Sequence, residues 1–119
     1  MNKLPEKLYG LIGYTLGHSF SENFFNQKFN SEGIDARYVN FEIPAITDIK
    51  NVLNENNNLH GLNVTIPYKE LIIPFLDEID ENAAAIGAVN VIKFIDGKNG
   101  TTKLKGYNSD IIGFCDSIK

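Results

Sequence analysis

Apolar runs and helix-like stretches alternate along this chain, and no other feature limits its fold as strongly. Apolar runs bounded by turn residues predict β-strands at 8–13, 36–43, 61–66, 88–95 and 101–107. Helical spacing and capping residues predict helices at 21–32, 45–57, 68–76, 80–86 and from about 109 to the end. The last two strands flank "DGKNG", which suits a hairpin turn. The pattern predicts an α/β domain of three layers, with helices flanking a mostly parallel mixed sheet of about five or six strands and one antiparallel hairpin.

The size and charge of the chain exclude several classes of function. Its 119 residues make one ordinary domain, and no linker or repeat divides residues 1–119. Eleven basic residues against 15 acidic ones give a net charge of -4 without a basic stripe, so nucleic acids and anionic membranes are not expected as partners. No apolar run approaches the roughly 20 residues that span a bilayer. The single cysteine, Cys115, rules out an intramolecular disulfide, and the cytoplasm is the expected compartment.

The stretch "GLNVTIPYKE" places a lysine at the start of a predicted helix, where the helix dipole disfavours a positive charge. Pro67 suits the first helical position, and Lys69 follows it closely. Alternation along the preceding strand puts Asn63 and Thr65 on one face beside the lysine, which makes a polar pocket wall. A solvated lysine beside an edge-strand threonine explains the same residues equally well.

The stretch "GYTLGHSFSENFF" joins the first strand to the first helix. Ser19 with Glu22 fits a capping box, and Ser21 is an equally good N-cap, so helix capping alone accounts for these residues. Hydroxyls and free N–H groups at a helix start also form a site for a carboxylate or a phosphate. The glycines nearby lack the spacing of the dinucleotide fingerprint, so no nucleotide site is predicted.

Two further stretches, "IGAVNV" and "GYNSDIIGF", place polar residues beside apolar strands. Asn90 needs partners or a ligand for its amide, and Asp110 lies in a predicted first helical turn, where the dipole favours it without any function. All four stretches lie near strand–helix junctions, and ligands of open α/β sheets bind at the strand ends. A lysine and an aspartate in such a cleft make an acid–base pair. One cysteine and two separated histidines, His18 and His60, predict no metal site.

Taken together and in order, "GHSFS", "GLNVTIPYK", "IGAVNV" and "GYNSDIIGF" resemble the N-terminal substrate-binding domain of the shikimate dehydrogenase family. The resemblance implies an NADP-dependent oxidoreductase that reduces 3-dehydroshikimate to shikimate in chorismate and aromatic amino-acid biosynthesis. It implies that NADP is bound by a C-terminal Rossmann domain absent from this chain, so the isolated chain is expected to be inactive. The expected partner is the small-molecule substrate, and the resemblance leaves a homodimer open.

The resemblance also implies a role for each matching residue. The substrate-binding residues would be Ser19 and Ser21 for the carboxylate and Asn63, Thr65 and Asn90 for the ring hydroxyls, with Lys69 and Asp110 as the catalytic pair.

Three departures from the family pattern bear on the choice between shikimate and quinate. Glu22 replaces a proline, Val91 follows Asn90 where the family has threonine, and "NSD" replaces "NTD" at 108–110. Two other hypotheses stay open from the sequence, namely a stand-alone shikimate or quinate-binding module without turnover and an interaction domain with a vestigial pocket.

Overall fold

A computed structural model describes residues 7–16, 20–56, 58–96 and 102–109. The strands are β1 (Lys7–Gly13), β2 (Ala36–Glu42), β3 (Leu59–Val64), β4 (Glu78–Ile79), β5 (Val91–Asp96) and β6 (Thr102–Tyr107). The helices are α1 (Phe20–Glu32), α2 (Ile49–Glu55) and α3 (Glu81–Ile86), with 3₁₀ turns at Ile46–Asp48 and Ile73–Phe75. None of these helices has the length and apolarity needed to cross a bilayer.

The six strands form one mixed sheet in the order β2-β1-β3-β5-β6-β4. β1 pairs in parallel with β2 and β3, and β4 pairs in parallel with β6. The predicted antiparallel pairing of β5 with β6 is confirmed, and residues 97–100 of the predicted turn lie outside the described residues. β5 also runs antiparallel to β3, so antiparallel pairing is not limited to β5 and β6. The α/β class and the mixed sheet of about six strands are confirmed. In this order the carboxyl ends of β1, β2 and β3 share one edge with the start of β5 and the end of β6.

The helix predicted at 68–76 does not form. Residues 66–72 form turns, and the 3₁₀ turn Ile73–Phe75 follows them. Pro74 has no N–H to donate and disfavours the helical conformation in the residue before it, which explains why the turns do not continue as an α-helix. Lys69 therefore lies in a turn, and the prediction of a helix dipole acting on it is wrong.

One face of the sheet is closed by an aliphatic core. Alternating residues of β1, β3 and β5 point into it and meet α2, α3 and the turns that follow β3. These buried side chains are aliphatic except for one tyrosine, and we call the set the aliphatic core: Leu8, Ile12, Ile49, Val52, Leu62, Val64, Tyr68, Ile72, Val89 and Ile92. Burial of this apolar area is the main force that holds the sheet to these connections.

The other face is packed by aromatic side chains of α1. Phe25 stacks on Tyr38 with ring centroids 4.8 Å apart, and the ring centroids of Phe29 and Tyr9 are 6.0 Å apart. Asn26 accepts from Tyr38 N and donates to Tyr38 O, both at 2.8 Å, so its amide completes the outer edge of β2. α1 therefore covers this face of β1 and β2, and Asn26 pairs the outward backbone groups of Tyr38 at the edge of the sheet.

The remaining differences between the predicted and observed elements are small. β4 has only two residues and was not predicted, and β5 begins at Val91 rather than at 88. α3 was predicted well, because Asp80 caps its start by accepting from Asn82 N (3.1 Å), and Gly87 ends it with φ of 79°. The helix predicted from about 109 lies outside the described residues, except for Ser109.

Candidate functional site

Three of the four predicted stretches meet at the carboxyl edge of the sheet. Val89 N donates to Lys69 O at 2.8 Å, which ties the segment before β5 to the turn after β3. Asn90 N donates to Tyr107 O at 3.0 Å, and Asn90 O accepts from Val64 N at 2.8 Å. Four residues lie at this edge: Thr65 and Lys69 after β3, Asn90 before β5 and Ser109 after β6. We call them the edge cluster.

Thr65 joins the edge cluster to the end of β1. Its N–H donates to Ile12 O at 2.9 Å, and its Cγ2 would lie 2.5 Å from a Cβ placed on Gly13. Such an approach requires glycine at position 13, because a methyl group there would displace the threonine or the backbone of β1. The hydroxyl-bearing side chain of Thr65 is thus held beside the start of the β1–α1 connection.

Lys69 is half-buried and lies next to a side chain that anchors the turn. The hydroxyl of the preceding residue, Tyr68, donates to Ile43 O across the core. Burial raises the pKa of the Tyr68 phenol, and the carboxylate of Asp48 raises it further, so the donor stays protonated. The backbone of Lys69 is fixed by this anchor and by the bond from Val89.

Asn90 is tied to the end of β6 through its side chain. Its Oδ1 accepts from Ser109 N at 2.8 Å and from Ser109 Oγ at 3.2 Å. The neighbouring Asn108 is only 6% exposed, and its Nδ2 donates to Ala88 O at 3.2 Å. These bonds hold the segment 88–90 against the end of β6 and bring the second, third and fourth predicted stretches together.

The other four predicted site residues are Ser19, Ser21, Asn63 and Asp110. Ser19 and Asp110 lie outside the described residues, and Ser21 lies in the first turn of α1. Asn63 lies in β3, and its Nδ2 donates to the hydroxyl of Tyr38 at 2.9 Å. Burial raises the pKa of that phenol, and the bond from Asn63 offsets part of the rise.

A cavity among the described residues lies away from the edge cluster. It has a volume of about 620 Å³ and opens over the α1 side of the sheet, between the aromatic rings of α1 and the strands β3 and β5. It is lined mainly by apolar and aromatic side chains, among them Tyr9, Phe25 and Phe29, and Asn63 is the one predicted site residue on its wall. Its lining also includes Lys7, His60 and Lys93, but it holds one predicted site residue whereas the edge cluster holds three, so we place the candidate site at the edge cluster.

The sequence pattern predicts no role for Asn108 or for Ser109. Both belong to a stretch that was singled out, but Asn108 acts through the carbonyl of Ala88 and Ser109 acts through the amide of Asn90. The available signal was a pair of polar residues directly after a strand, and the partner across the sheet edge became visible only in the fold.

Neither a metal site nor a dinucleotide seat is formed by the described residues. No three His, Cys, Asp or Glu side chains of the described ranges group closely enough to hold a metal ion. The described glycines with positive φ, Gly33 and Gly87, both follow helix ends, whereas a pyrophosphate seat needs a glycine turn between a strand and the start of a helix. The described residues therefore form no seat for the NADP pyrophosphate.

Comparison with known proteins finds relatives over nearly the whole chain. Residues 11–92 match the family described as the shikimate dehydrogenase substrate binding domain. The chain is 47% identical over 118 residues to the shikimate dehydrogenase (NADP(+)) of Syntrophomonas wolfei, with 98% of this chain and 39% of that protein covered. The protein of the same name from Methanosphaera stadtmanae is 46% identical over 112 residues, with 92% of this chain and 38% of that protein covered.

A solved structure shows the same relation. The crystal structure of shikimate dehydrogenase from Aquifex aeolicus matches with a TM-score of 0.78 and 41% identity, covering 100% of this chain and 43% of that chain. The chain thus spans about two fifths of the length of these relatives.

Proposed function

Because this chain belongs to the family of shikimate dehydrogenase substrate-binding domains, we propose that it binds shikimate and 3-dehydroshikimate as the N-terminal substrate-binding part of an NADP-dependent shikimate dehydrogenase. The single observation that carries the proposal is that hydrogen bonds join the segments of the edge cluster. Bonds from Val89 to Lys69 and from Ser109 to Asn90 hold polar side chains from three separate stretches at one sheet edge. Ligands of α/β sheets bind at such edges.

The reaction we assign to this chain is proton transfer at one oxygen of the substrate. A hydroxyl that becomes a ketone loses its O–H proton to a base, and the ketone regains a proton from an acid in the reverse direction. Lys69 and Asp110 take these roles. The position of Lys69, in a turn whose backbone is fixed on both sides, supports the assignment because acid–base groups must stay within hydrogen-bond reach of the reacting oxygen.

Binding of the substrate uses the remaining predicted residues. Ser19 and Ser21 hold the carboxylate, while Thr65, Asn90 and Asn63 meet the ring hydroxyls. Thr65 and Asn90 are supported by their places in the edge cluster. Asn63 already donates to Tyr38, so we assign it the lesser part of framing the ring through its remaining amide groups.

NADP, whose chemistry is hydride exchange, is assigned to sequence that the relatives have beyond the part matched here. The chain covers 39% of the Syntrophomonas wolfei protein, which leaves most of that protein's sequence to hold a cofactor domain. We also place the protein in the cytoplasm, since its one cysteine allows no intramolecular disulfide.

A titration of the ¹⁵N-labelled 119-residue chain with shikimate tests the binding proposal. Chemical shifts should change at Thr65, Lys69, Asn90 and Ser109, and not at exposed positions of α1 such as Lys28. The affinity should be modest, because half of the cleft is open to water.

The carboxylate role has its own test. Ser19→Ala combined with Ser21→Ala should weaken shikimate binding in calorimetry by about tenfold or more, since a carboxylate loses two charge-assisted hydrogen bonds. Ser31→Ala is the matched control, because this exposed serine of α1 bonds only to the carbonyl of Lys28 among the described residues. Equal binding by the double variant and the parent would show that the serines do not hold the carboxylate.

Turnover separates the proposal from a stand-alone binding module. The 119-residue chain should not oxidise NADPH with 3-dehydroshikimate, while an enzyme that joins this domain to an NADP-binding domain should. Turnover by the isolated chain would overturn the half-enzyme proposal, and binding without turnover in the joined enzyme would favour the binding module.

A further inference from the structure

The amide of Asn90 has a fixed polarity. Its Oδ1 accepts from Ser109 N at 2.8 Å and from Ser109 Oγ at 3.2 Å. A backbone N–H can only donate, so the atom that faces Ser109 must be the amide oxygen and not the amide nitrogen. Both lone pairs of this oxygen are then engaged, and the –NH₂ group must point the other way.

The backbone of Asn90 is held as firmly as its oxygen. It donates to Tyr107 O at 3.0 Å and accepts from Val64 N at 2.8 Å, so it is bonded to the strands on both sides. Asn108 adds a bond to Ala88 O at 3.2 Å just beside it. Rotation about the side-chain bonds of Asn90 is therefore the remaining freedom, and the bonds from Ser109 remove it.

The nitrogen end of the amide is available for a ligand. Within the described ranges, Asn90 Nδ2 has no hydrogen-bond partner, and the residue is half-buried. A half-buried amide that offers two N–H groups at the sheet edge recognises an oxygen through its lone pairs.

We propose that Ser109 is a positioning residue that fixes Asn90 as a hydrogen-bond donor to a substrate oxygen. The inference rests on the proposed function for the identity of the ligand, and on the hydrogen bonds for the role of Ser109. The backbone N–H of Ser109 sets the orientation of the amide, and its hydroxyl occupies the second lone pair, so that the amide does not have to reorient when the ligand binds.

A double-mutant cycle on shikimate binding to the 119-residue chain tests this role. Ser109→Ala should weaken binding by about three- to tenfold, the value of one hydrogen bond, whereas Ser109→Thr keeps the hydroxyl and should bind like the parent. In an Asn90→Ala background, Ser109→Ala should have no further effect, because the residue acts through the amide. Ser31→Ala, which removes an exposed hydroxyl bond in α1, should bind like the parent.

Independent, additive losses from Ser109→Ala and Asn90→Ala would overturn the proposal, and so would a Ser109→Thr variant as weak as Ser109→Ala. If the parent itself did not bind shikimate, the proposed function would fail. The role of Ser109 would then be decided by NMR spectra of the ligand-free variants. The side-chain NH₂ resonances of Asn90 should then shift in Ser109→Ala and stay in place in Ser109→Thr. Unchanged resonances in both variants would overturn the positioning role.

Discussion

The edge cluster and the aliphatic core occupy neighbouring positions along the same segments. In three places a buried residue directly precedes an edge residue, namely Val64 before Thr65, Tyr68 before Lys69 and Val89 before Asn90. The first member of each pair is at most 3% exposed, whereas the second is half-buried. Residues one position apart therefore belong to two regions with different physical demands.

This arrangement shows how a short irregular segment can hold a polar group in place. The turns after β3 contain no α-helix, and Ala88–Asn90 lie outside a strand. Each of these two segments is nevertheless fixed by one buried side chain, Tyr68 in the first and Val89 in the second. Burial of the first residue stabilises the fold, and the next residue inherits a defined position. Changes to the first should alter stability, and changes to the second should alter function.

The largest expected effect is at the edge. Lys69→Ala, in an enzyme that joins this domain to its NADP-binding domain, should lower kcat by about 10²- to 10⁴-fold, which is the usual contribution of an acid–base group. Its melting temperature should stay near that of the parent, since the side chain makes no hydrogen bond or ion pair among the described residues. Lys28→Ala, which removes an exposed lysine of α1, is the control for lost charge. A Lys69→Ala variant with nearly full kcat would remove the catalytic assignment.

The next effect is at the core, four residues after Tyr68. Ile72→Ala should reduce the free energy of unfolding by about 2–5 kcal/mol, because Ile72 is 1% exposed and its loss leaves a cavity. Leu71→Ala is a matched control at the adjacent position, where the side chain is 51% exposed, and it should cost less than about 1 kcal/mol. Urea unfolding of both variants measures the difference. Equal losses would mean that the two sides of this segment do not differ as the structure shows.

A smaller effect is expected from the hydroxyl that fastens the turn. Tyr68→Phe leaves the buried carbonyl of Ile43 without its donor and should cost about 1–3 kcal/mol. Tyr14→Phe, at a tyrosine that is 47% exposed, is the control and should cost little. A Tyr68→Phe variant as stable as the parent would show that the hydroxyl does not fasten the turn.

The same tyrosine gives a pH dependence with a defined sign. Burial and Asp48 raise the pKa of Tyr68 above its ordinary value of 10.0, so the folded state favours the protonated phenol. The resulting stabilisation is complete below that ordinary value and is lost as the pH rises through the folded-state pKa. Urea unfolding above about pH 10 should show a shallower decline of stability in Tyr68→Phe than in the parent. An identical decline would contradict the raised pKa.

Sequence patterns predicted most of the regular elements because those elements carry their own signals. The alternation in β1 and β2 and the capping residues of α3 are local, and each gave bounds within about one residue. The segment 68–76 has the spacing of a helix because residues 68 and 72 are apolar, but Pro74 prevents a continuous α-helix and the chain forms turns there. β4 could not be predicted, because two residues are too few to show the alternation of apolar and polar residues that marks a strand.

The sequence predicts that the four stretches lie near one edge of the sheet, but it does not predict which side chains meet there. Strand–helix junctions marked the edge, and the sheet order brought three of the stretches together there. Which side chains meet was beyond the sequence, because Asn63 bonds to Tyr38 and Ser109 bonds to Asn90 across 25 and 19 residues of chain. The roles of Ser19, Ser21, Asn63, Thr65, Lys69, Asn90 and Asp110 stay predictions for the experiments described.

The smallest effect separates the two regions at their glycines. Gly87 and Gly33 end α3 and α1 with φ of 79° and 67°, and a Cβ on either would meet no atom within 4 Å. Gly87→Ala and Gly33→Ala should therefore cost about the same, roughly 1–2 kcal/mol of unfolding free energy, since each forces an L residue into the left-handed region. Their effects on ligand binding should differ. Gly87 leads directly into Ala88–Asn90, so relaxation of its backbone should move the edge cluster. Gly33 leads into the start of β2, at the end of the strands opposite to the edge cluster. Calorimetry with shikimate should show weaker binding by Gly87→Ala and parent-like binding by Gly33→Ala. If both variants bound like the parent despite equal losses of stability, the position of Asn90 would be set by its own hydrogen bonds to Val64, Tyr107 and Ser109 and not by the end of α3.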